Sequence, residues 1–598
     1  MSKKFHITIY DAQNVLLEPV GFDPQTHELL KGFPERTWVN NNSGRGWKIP
    51  VTRENTKYLY AHWFDEDYTV DEQAKILLTY EKLTNIVDQK KATKRWQYLF
   101  EDKVSQFPLP SMLSPFDHQR VTVESMIGAE YFGLLMEMGT GKTKCVVDEI
   151  NYYESIRSGR QRFTAIVVAP KSLLVNWKRE FDKNLCDVFD RKIVILNKGL
   201  EKSVEQIVEL FKDPSPLKVV CVSYDSVDTL IQNLLLLKPN YIAFDESHYI
   251  KNSEAKRWKA CKRLAEVAEM RRILTGTPVS NNILDLWAQF EILRPGALGY
   301  STFTAFKRQY CDLEQNGQFE KITGYRHVEE LKENMARMSF IVRKEQCLDL
   351  PEKLYETIEV EMPDNIKAVY NQFAKEFYTL LDDGTEVSTE FVLVQMLKLQ
   401  QICSGFMVGT QPDKIDPEKV NRSTFMLPNG DAKLNEMIDD IEEAVKDGKC
   451  IAWSRFKIDN QLIKIKLAER GIASGVYDSS TTQQERQEII DKFNNDDSFR
   501  VFIGNPAAGG VGLTLLGTER VRTKTCYYYS NSFSYGQRLQ SEDRCHRIGL
   551  RNPVLYKDYV YANSIEQYIA GILTQKRGLD DMVKNVGEIK EILLKGIE

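Results

Sequence analysis

The sequence predicts an α/β protein: two tandem parallel-sheet domains with helical insertions and a small N-terminal accessory domain. Three observations predict it. Over residues 106–295, short apolar runs rich in β-branched residues alternate with amphipathic helical patterns, as in a parallel sheet covered on both faces. The same alternation returns over 431–570. The chain has 598 residues, too many for one core when domains commonly hold about 100 to 200.

Residues 1–105 carry Trp38, Trp47 and Trp63, the strand-like run Phe5–Tyr10 and the turn-rich stretch Asn40–Gly46, and read as a separate accessory module. In 106–295 the strand-like runs are Ala165–Ala169, Val219–Ser223, Tyr241–Asp245 and Arg272–Thr275. Residues 296–430 are mostly helix-patterned, as in Phe391–Ile402, and predict helical protrusions or a linker. The second sheet takes Cys450–Ser454, Arg500–Gly504, Cys526–Tyr529 and Val554–Val560, and 571–598 reads as a C-terminal helical segment.

Composition narrows the class. With 42% hydrophobic and 28% charged residues the chain is globular rather than fibrous or disordered. The longest leucine run, Leu234–Leu237, is far too short to span a bilayer, so no membrane partner is expected. The ten cysteines are scattered without a C-x-x-C pair, which argues against a zinc site and a disulfide framework. The net charge of −5 does not exclude a nucleic-acid partner, because phosphates feel the field of one face. One segment, 251–272, holds eight Lys or Arg against three Glu; it reads either as a phosphate-facing patch or as a solvated helix face.

The chemistry begins at Gly139-Thr140-Gly141-Lys142-Thr143, between an apolar run and a helix-like stretch. Strand, loop and helix in that order let backbone N–H groups cradle phosphates, with the Lys142 ammonium on the β/γ oxygens and the Thr143 hydroxyl available to Mg2+. Met136 stands where the strict pattern has its first glycine. The second element, Asp245-Glu246-Ser247-His248, falls at the C-terminal end of an apolar strand, where open α/β sheets hold their ligands. Asp245 suits a metal role and Glu246 the orientation and deprotonation of an attacking water.

These residues, with further motifs on either side of them, resemble the SWI/SNF-type translocases of helicase superfamily two. The resemblance covers about 106–570: Pro115–Gln119, Met136–Thr143, Ala169–Trp177, Asp245–Asn252, Leu274–Asn282, Ala507–Leu515 and Gln540–Gly549. It implies two RecA-like domains, ATP and Mg2+ as cofactors, and a DNA-stimulated ATPase. It places ATP against Phe116, His118, Gln119, Met136, Glu137, Met138, Gly139, Thr140, Gly141, Lys142 and Thr143, with Gln119 reading adenine. It makes Lys142, Glu246, Gln540, Arg544 and Arg547 the catalytic set. Arg544 and Arg547 are three apart, so on a helix they share a face and both reach the γ-phosphate as arginine fingers. Thr514 stands where asparagine is common in the family, and Leu550 where glutamine is.

By the same resemblance, phosphate contacts to DNA come from around Lys171, Ser223, Thr275, Ser454 and Gly510, tracking the backbone without reading bases. The Asp-Glu-Ser-His spelling is similar to the HepA-related annealing helicases. Phe33–Trp38 with Gly46–Pro50 resembles their small recognition domain; against that, Trp38 and Trp47 also fit the core of a small β-fold. The expected partner is duplex DNA, forked DNA included, with fork remodelling, branch migration or strand annealing as the task. A conventional strand-separating helicase and a remodeller that displaces proteins from DNA remain alternatives. The chain is expected in the cytoplasm of a bacterium or virus-infected cell, at the nucleoid, or in the nucleus of a eukaryote.

Overall fold

The structure, a computed structural model, describes residues 3–11, 13–21, 23–41, 44–63, 68–75, 78, 107–157, 162–186, 190–279, 282–316, 319–382, 389–412, 420–509, 513–575 and 586–597. They fall into two compact units, Met1–Cys347 and Leu348–Glu598.

The first unit opens with a five-stranded sheet of β1 (Phe5–Asp11), β2 (Asn14–Pro19), β3 (Thr37–Asn41), β4 (Gly44–Pro50) and β5 (Tyr68–Val70), in the order β3-β4-β2-β1-β5. Phe5, Ile7, Val15, Leu17 and Ile49 gather with Phe33, Leu59 and Trp63 in its core. Trp63 is therefore a core residue, stacked on Phe33 at 5.5 Å. Trp38, on the edge strand β3, is 41% exposed and meets the half-buried Trp47 edge-on at 5.0 Å. The Glu35 carboxylate fastens this module to the remainder of the unit. It accepts the N–H groups of Ser301 at 2.7 Å and Thr302 at 2.6 Å, at the start of the helix Phe303–Tyr310, where a negative charge faces the helix dipole favourably.

The main sheet of this unit holds β6 (Tyr131–Met136), β7 (Phe163–Ala169), β8 (Arg191–Leu196), β9 (Leu217–Ser223), β10 (Tyr241–Asp245), β11 (Met270–Leu274) and later β14 (Ser339–Val342), in the order β14-β6-β11-β10-β7-β9-β8. All its pairings are parallel. Every residue of β7, β9 and β10 is buried, which is why these strands read as unbroken apolar runs rather than alternations. A fully buried ion pair ties the sheet to the helix Lys142–Arg157: Arg272 Nη2 and Nε donate to Glu149 at 2.6 and 3.1 Å, and the Tyr241 hydroxyl donates to the same carboxylate at 2.7 Å.

Residues 296–430 depart from the helical expectation. They do contain the helices Phe303–Tyr310, Val328–Met338, Asp364–Asp382 and Thr389–Cys403. They also contain the hairpin of β12 (Cys311–Asn316) and β13 (Phe319–Tyr325), the strands β14 and β15 (Lys353–Val360), and the hairpin of β16 (Phe406–Pro412) and β17 (Val420–Met426). The stretch is shared between the units, β14 joining the first main sheet and β15 the second. The residues of β15 are mostly exposed, so no apolar alternation announces them; the strand exists because it completes a sheet edge.

The second unit is built on β15, β18 (Lys449–Trp453), β19 (Ser474–Tyr477), β20 (Val501–Gly504), β21 (Thr523–Tyr528) and β22 (Val554–Tyr561), in the parallel order β15-β22-β21-β18-β20-β19. The helix Val586–Ile597 packs on the helix Asp364–Asp382. Among the described residues no helix is long and apolar enough to cross a membrane.

Candidate active site

The phosphate loop leaves the buried strand β6 at Met136 and enters a helix at Lys142. Lys142 Nζ donates to the carbonyls of Met136 at 2.8 Å and Glu137 at 3.3 Å, so its ammonium lies over the loop itself. The Thr140 hydroxyl donates to Glu137 O at 2.7 Å. Gly141 has φ +92°, and a Cβ there would come within 2.1 Å of Gln119 Nε2, so the turn admits no side chain. Glu137 anchors the loop's entrance, its N–H donating to Val342 O at 2.9 Å and its carboxylate accepting Lys344 N–H at 2.8 Å. Met138 is half-buried, and Thr143 half-buried on the first turn of the helix.

Gln119 and His118 both reach the phosphate loop. Gln119 is 2% exposed; its amide donates to Thr140 O at 3.0 Å and accepts Phe116 N–H at 3.1 Å. His118 also meets Thr140 O, at 2.8 Å, and its burial lowers its pKa. Both side chains pin the loop through the buried Thr140 carbonyl. Phe116 is the exposed member of the group and stacks on the His118 ring at 5.9 Å.

Asp245 ends β10, and Asp245 and Glu246 are both buried. Asp245 Oδ2 accepts the Trp177 indole N–H at 2.8 Å, and Oδ1 accepts the backbone N–H of Glu246 at 3.0 Å. Burial and the neighbouring Glu246 charge push the Asp245 pKa up, against the pull of the Trp177 hydrogen bond and the Lys142 charge. The loop leaves β6 and the carboxylates end β10, two strands that flank β11 in the parallel sheet, so both lie at its C-terminal edge. Glu246 has left-handed backbone, φ 52° and ψ 55°, which costs about 1–2 kcal/mol for a residue with a Cβ. Strain of this kind is held in place only where surrounding structure demands it. His248 Nδ1 lies 3.3 Å from Glu246 Oε2. Two adjacent buried carboxylates that repel each other are oxygen donors suited to a hard divalent cation such as Mg2+.

Two residues that motif reading gave no role complete this site. Trp177 is legible only as part of Ala169–Trp177; nothing in the spacing says that its N–H reaches Asp245. Gln289 is an amide within the wholly buried helix Asp285–Leu293, and it joins Ser247 to Pro278. The segment after β11 also crosses the phosphate loop closely. A Cβ on Gly276 would lie 3.1 Å from the Met138 nitrogen.

In the second unit the helix Tyr535–Glu542 is rooted by Arg538, whose guanidinium stacks on Tyr528 at 3.6 Å and pairs with Asp558 and Glu542. Gln540 is half-buried on this helix. Arg544 and Arg547 do not share its face, as the spacing had implied, because the helix stops at Glu542. The Arg544 carbonyl accepts Leu515 N–H at 2.9 Å, which takes it out of the helical ladder. The arginines meet by another route. Arg544 Nη1 donates to Leu513 O at 3.4 Å, and Arg547 Nη1 to Leu513 O at 2.9 Å and Thr514 Oγ1 at 2.6 Å. Thr514, where the family commonly has asparagine, is thus a partner of Arg547.

Of the residues assigned to DNA, Lys171 and Ser223 line one groove of about 240 Å³ at the C-terminal ends of β7, β8 and β9. Thr275 and Ser454, by contrast, are fully buried. The Thr275 hydroxyl accepts Thr277 N–H at 3.1 Å, and the Ser454 hydroxyl donates to Asp459 at 2.6 Å, so neither side chain meets solvent. Burial pushes the Asp459 carboxyl up to about 7. Gly510 lies outside the described residues. Lys251, Arg257, Lys259 and Lys262 pair with Asp285, Asp225, Glu254 and Glu291, and Arg272 is buried.

A parallel-sheet unit with a phosphate loop and adjacent carboxylates, followed by a second with a buried arginine turn, defines the ATP-hydrolysing helicase class. Comparison with known proteins gives the family. Residues 118–406 match the SNF2-related domain and 432–549 the helicase conserved C-terminal domain, together about two thirds of the chain. The chain belongs to the SNF2 family of ATP-dependent helicases and translocases. It is 27% identical over 577 residues to the ATP-dependent helicase MG018 of Mycoplasma genitalium, covering 92% of this chain and 51% of that protein. It is 25% identical over 458 residues to the putative helicase/translocase YwqA of Bacillus subtilis, covering 75% of this chain and 46% of that one. The chain thus spans about half the length of these relatives. A solved SWI2/SNF2 ATPase core of Sulfolobus solfataricus, in complex with dsDNA, aligns at 21% identity and TM-score 0.36 over 82% of this chain and 98% of that one.

Proposed function

We propose that this chain hydrolyses ATP with Mg2+ to translocate on double-stranded DNA. The observation that carries the proposal is the placing of the Lys142 loop and a buried Asp245–Glu246 pair at the C-terminal ends of two strands of one parallel sheet, in a chain of the SNF2 family. In this reading Lys142 binds the β/γ-phosphates, Thr143 and Asp245 hold Mg2+, and Glu246 orients the attacking water and takes its proton. Bound Mg2+ would supply charge neutralisation on the phosphate oxygens. Arg544 and Arg547 supply positive charge to the transferred phosphoryl group.

The proposal extends to DNA structure. The exposed Trp38, with Trp47, His27 and Arg36 around it, offers flat faces and a cation to unpaired bases, which supports a preference for forked DNA. The test measures ATP hydrolysis side by side with no nucleic acid, single strands, duplex, fork and RNA, with Lys142→Ala as the null. Duplex and fork should stimulate most. A rate independent of nucleic acid, or highest with RNA, overturns the proposal, and efficient unwinding of tailed duplexes would assign a strand-separating helicase.

A further inference from the structure

Arg544 and Arg547 stand on a turn that begins where the helix Tyr535–Glu542 stops, outside the regular helical ladder. Their bonds to Leu513 and Thr514 tie the guanidinium groups to the preceding loop. The turn itself is held from another side, by the first residues of β15. Lys353 Nζ donates to Glu542 Oε2 at 2.9 Å and to Asp543 Oδ1 at 3.4 Å. The Tyr355 hydroxyl donates to the same Glu542 oxygen at 2.9 Å. Just ahead of the strand, the Pro351 carbonyl accepts His546 Nε2–H at 2.8 Å. These contacts bracket Arg544 on both sides and reach the residue before Arg547.

The pairing of β15 does not require them. It is the edge strand of the second sheet, it is paired with β22, and most of its residues are exposed. Against that pattern the Lys353 side chain is only 18% exposed, its ammonium turned onto the buried Glu542 carboxylate. Burial alone would raise the Glu542 pKa, but the charges of Lys353 and Arg538 outweigh it and hold it below its ordinary value. Arg538 donates to Oε1 at 2.8 Å from within the helix, while Lys353 takes Oε2 from the strand. Glu542 is thus shared between two cations from different elements, and the one on β15 also reaches Asp543. Arg538 secures the helix end; Lys353 secures the path by which the chain leaves it.

We infer that Lys353 and Tyr355 are positioning residues for Arg544 and Arg547, fixing through Glu542 and Asp543 the turn from which both arginines act on the transferred phosphoryl group. This rests on the function proposed above. A group that meets charge developing in the transition state works from one geometry, and a misplacement of about 1 Å can cost about 10²-fold in rate. Ground-state ATP binding rests on the phosphate loop of the first unit, so loosening the turn lowers turnover and spares affinity.

The experiment measures kcat for ATP hydrolysis, fluorescent-nucleotide affinity and thermal unfolding midpoints for the full chain, Lys353→Met, Lys353→Arg and Tyr355→Phe. In Lys353→Met, kcat should fall about ten-fold while nucleotide affinity stays within about two-fold. Lys353→Arg keeps a cation for Glu542 and Asp543 and should recover kcat to within about three-fold of wild type. Tyr355→Phe leaves the ion pair and the ring stacked on Tyr556 in place, which keeps the comparison decisive should Lys353→Met not fold. Its kcat should fall about three-fold at an unchanged unfolding midpoint. In an Arg547→Ala background, followed by single-turnover hydrolysis, Lys353→Met should cost less than about three-fold more, because most of what the lysine positions is gone. An unchanged kcat in the folded variants, equal losses of kcat and affinity, no recovery in Lys353→Arg, or the same proportional loss in the Arg547→Ala background would overturn the inference. Wild-type turnover in Arg547→Ala alone would overturn the functional proposal's use of the arginines instead.

Discussion

Replacing Trp177 by Phe probes the carboxylate centre with little change of volume. The ring stays, packed near Phe181, while the N–H that donates to Asp245 Oδ2 at 2.8 Å is lost. A hydrogen bond to a charged group contributes about 1.5–3 kcal/mol, and about 1.4 kcal/mol corresponds to one pKa unit. Burial and Glu246 already raise the Asp245 pKa, and the indole opposes them. Removing it raises that pKa further, by about one to two units. The ionised form needed for the metal role then becomes scarcer at a given pH. The acid limb of kcat/KM for ATP should move to higher pH by about that amount at limiting Mg2+, and raising Mg2+ should restore activity. The stability difference carries the same sign. A raised folded pKa gives stability that is present at low pH and lost as pH rises, so the variant should be less stable than wild type at alkaline pH, the gap closing as pH falls. An unmoved acid limb in a variant with native circular dichroism would refute the assignment of Trp177 as the carboxylate's partner.

Three further outcomes are expected. Arg547→Ala should keep ATP binding and lose turnover by about 10³ to 10⁵, as measured by fluorescent-nucleotide titration beside hydrolysis; parallel loss of both would assign Arg547 to ground-state binding. Arg272→Met leaves Glu149 buried without its guanidinium and should cost about 3–5 kcal/mol in chemical denaturation, whereas a cost under about 1 kcal/mol would mean that water or another cation reaches the site. Trp38→Ala should weaken binding to forked or single-stranded DNA by about 1–3 kcal/mol while sparing duplex-stimulated hydrolysis; equal losses on both substrates would favour a bracing role, the one visible in Glu35.

The two parallel sheets, the phosphate loop and the carboxylate motif were legible in the amino-acid order. These are local patterns: apolar runs such as Phe163–Ala169 bury both faces, and Gly141-Lys142 marks the passage from strand to helix whatever lies around it. The partners of these groups were settled in three dimensions. Trp177 and Asp245 stand 68 residues apart and meet because β7 and β10 are neighbours in one sheet. β15 is too exposed to show a strand pattern and takes its conformation from β22. The helix carrying Gln540 ends early because Leu515 claims the Arg544 carbonyl, and Thr275 and Ser454 turn inward because backbone or carboxylate groups need their hydroxyls. Periodicity reports which face of an element is apolar, but the burial of a short polar side chain at a strand end depends on what packs over it.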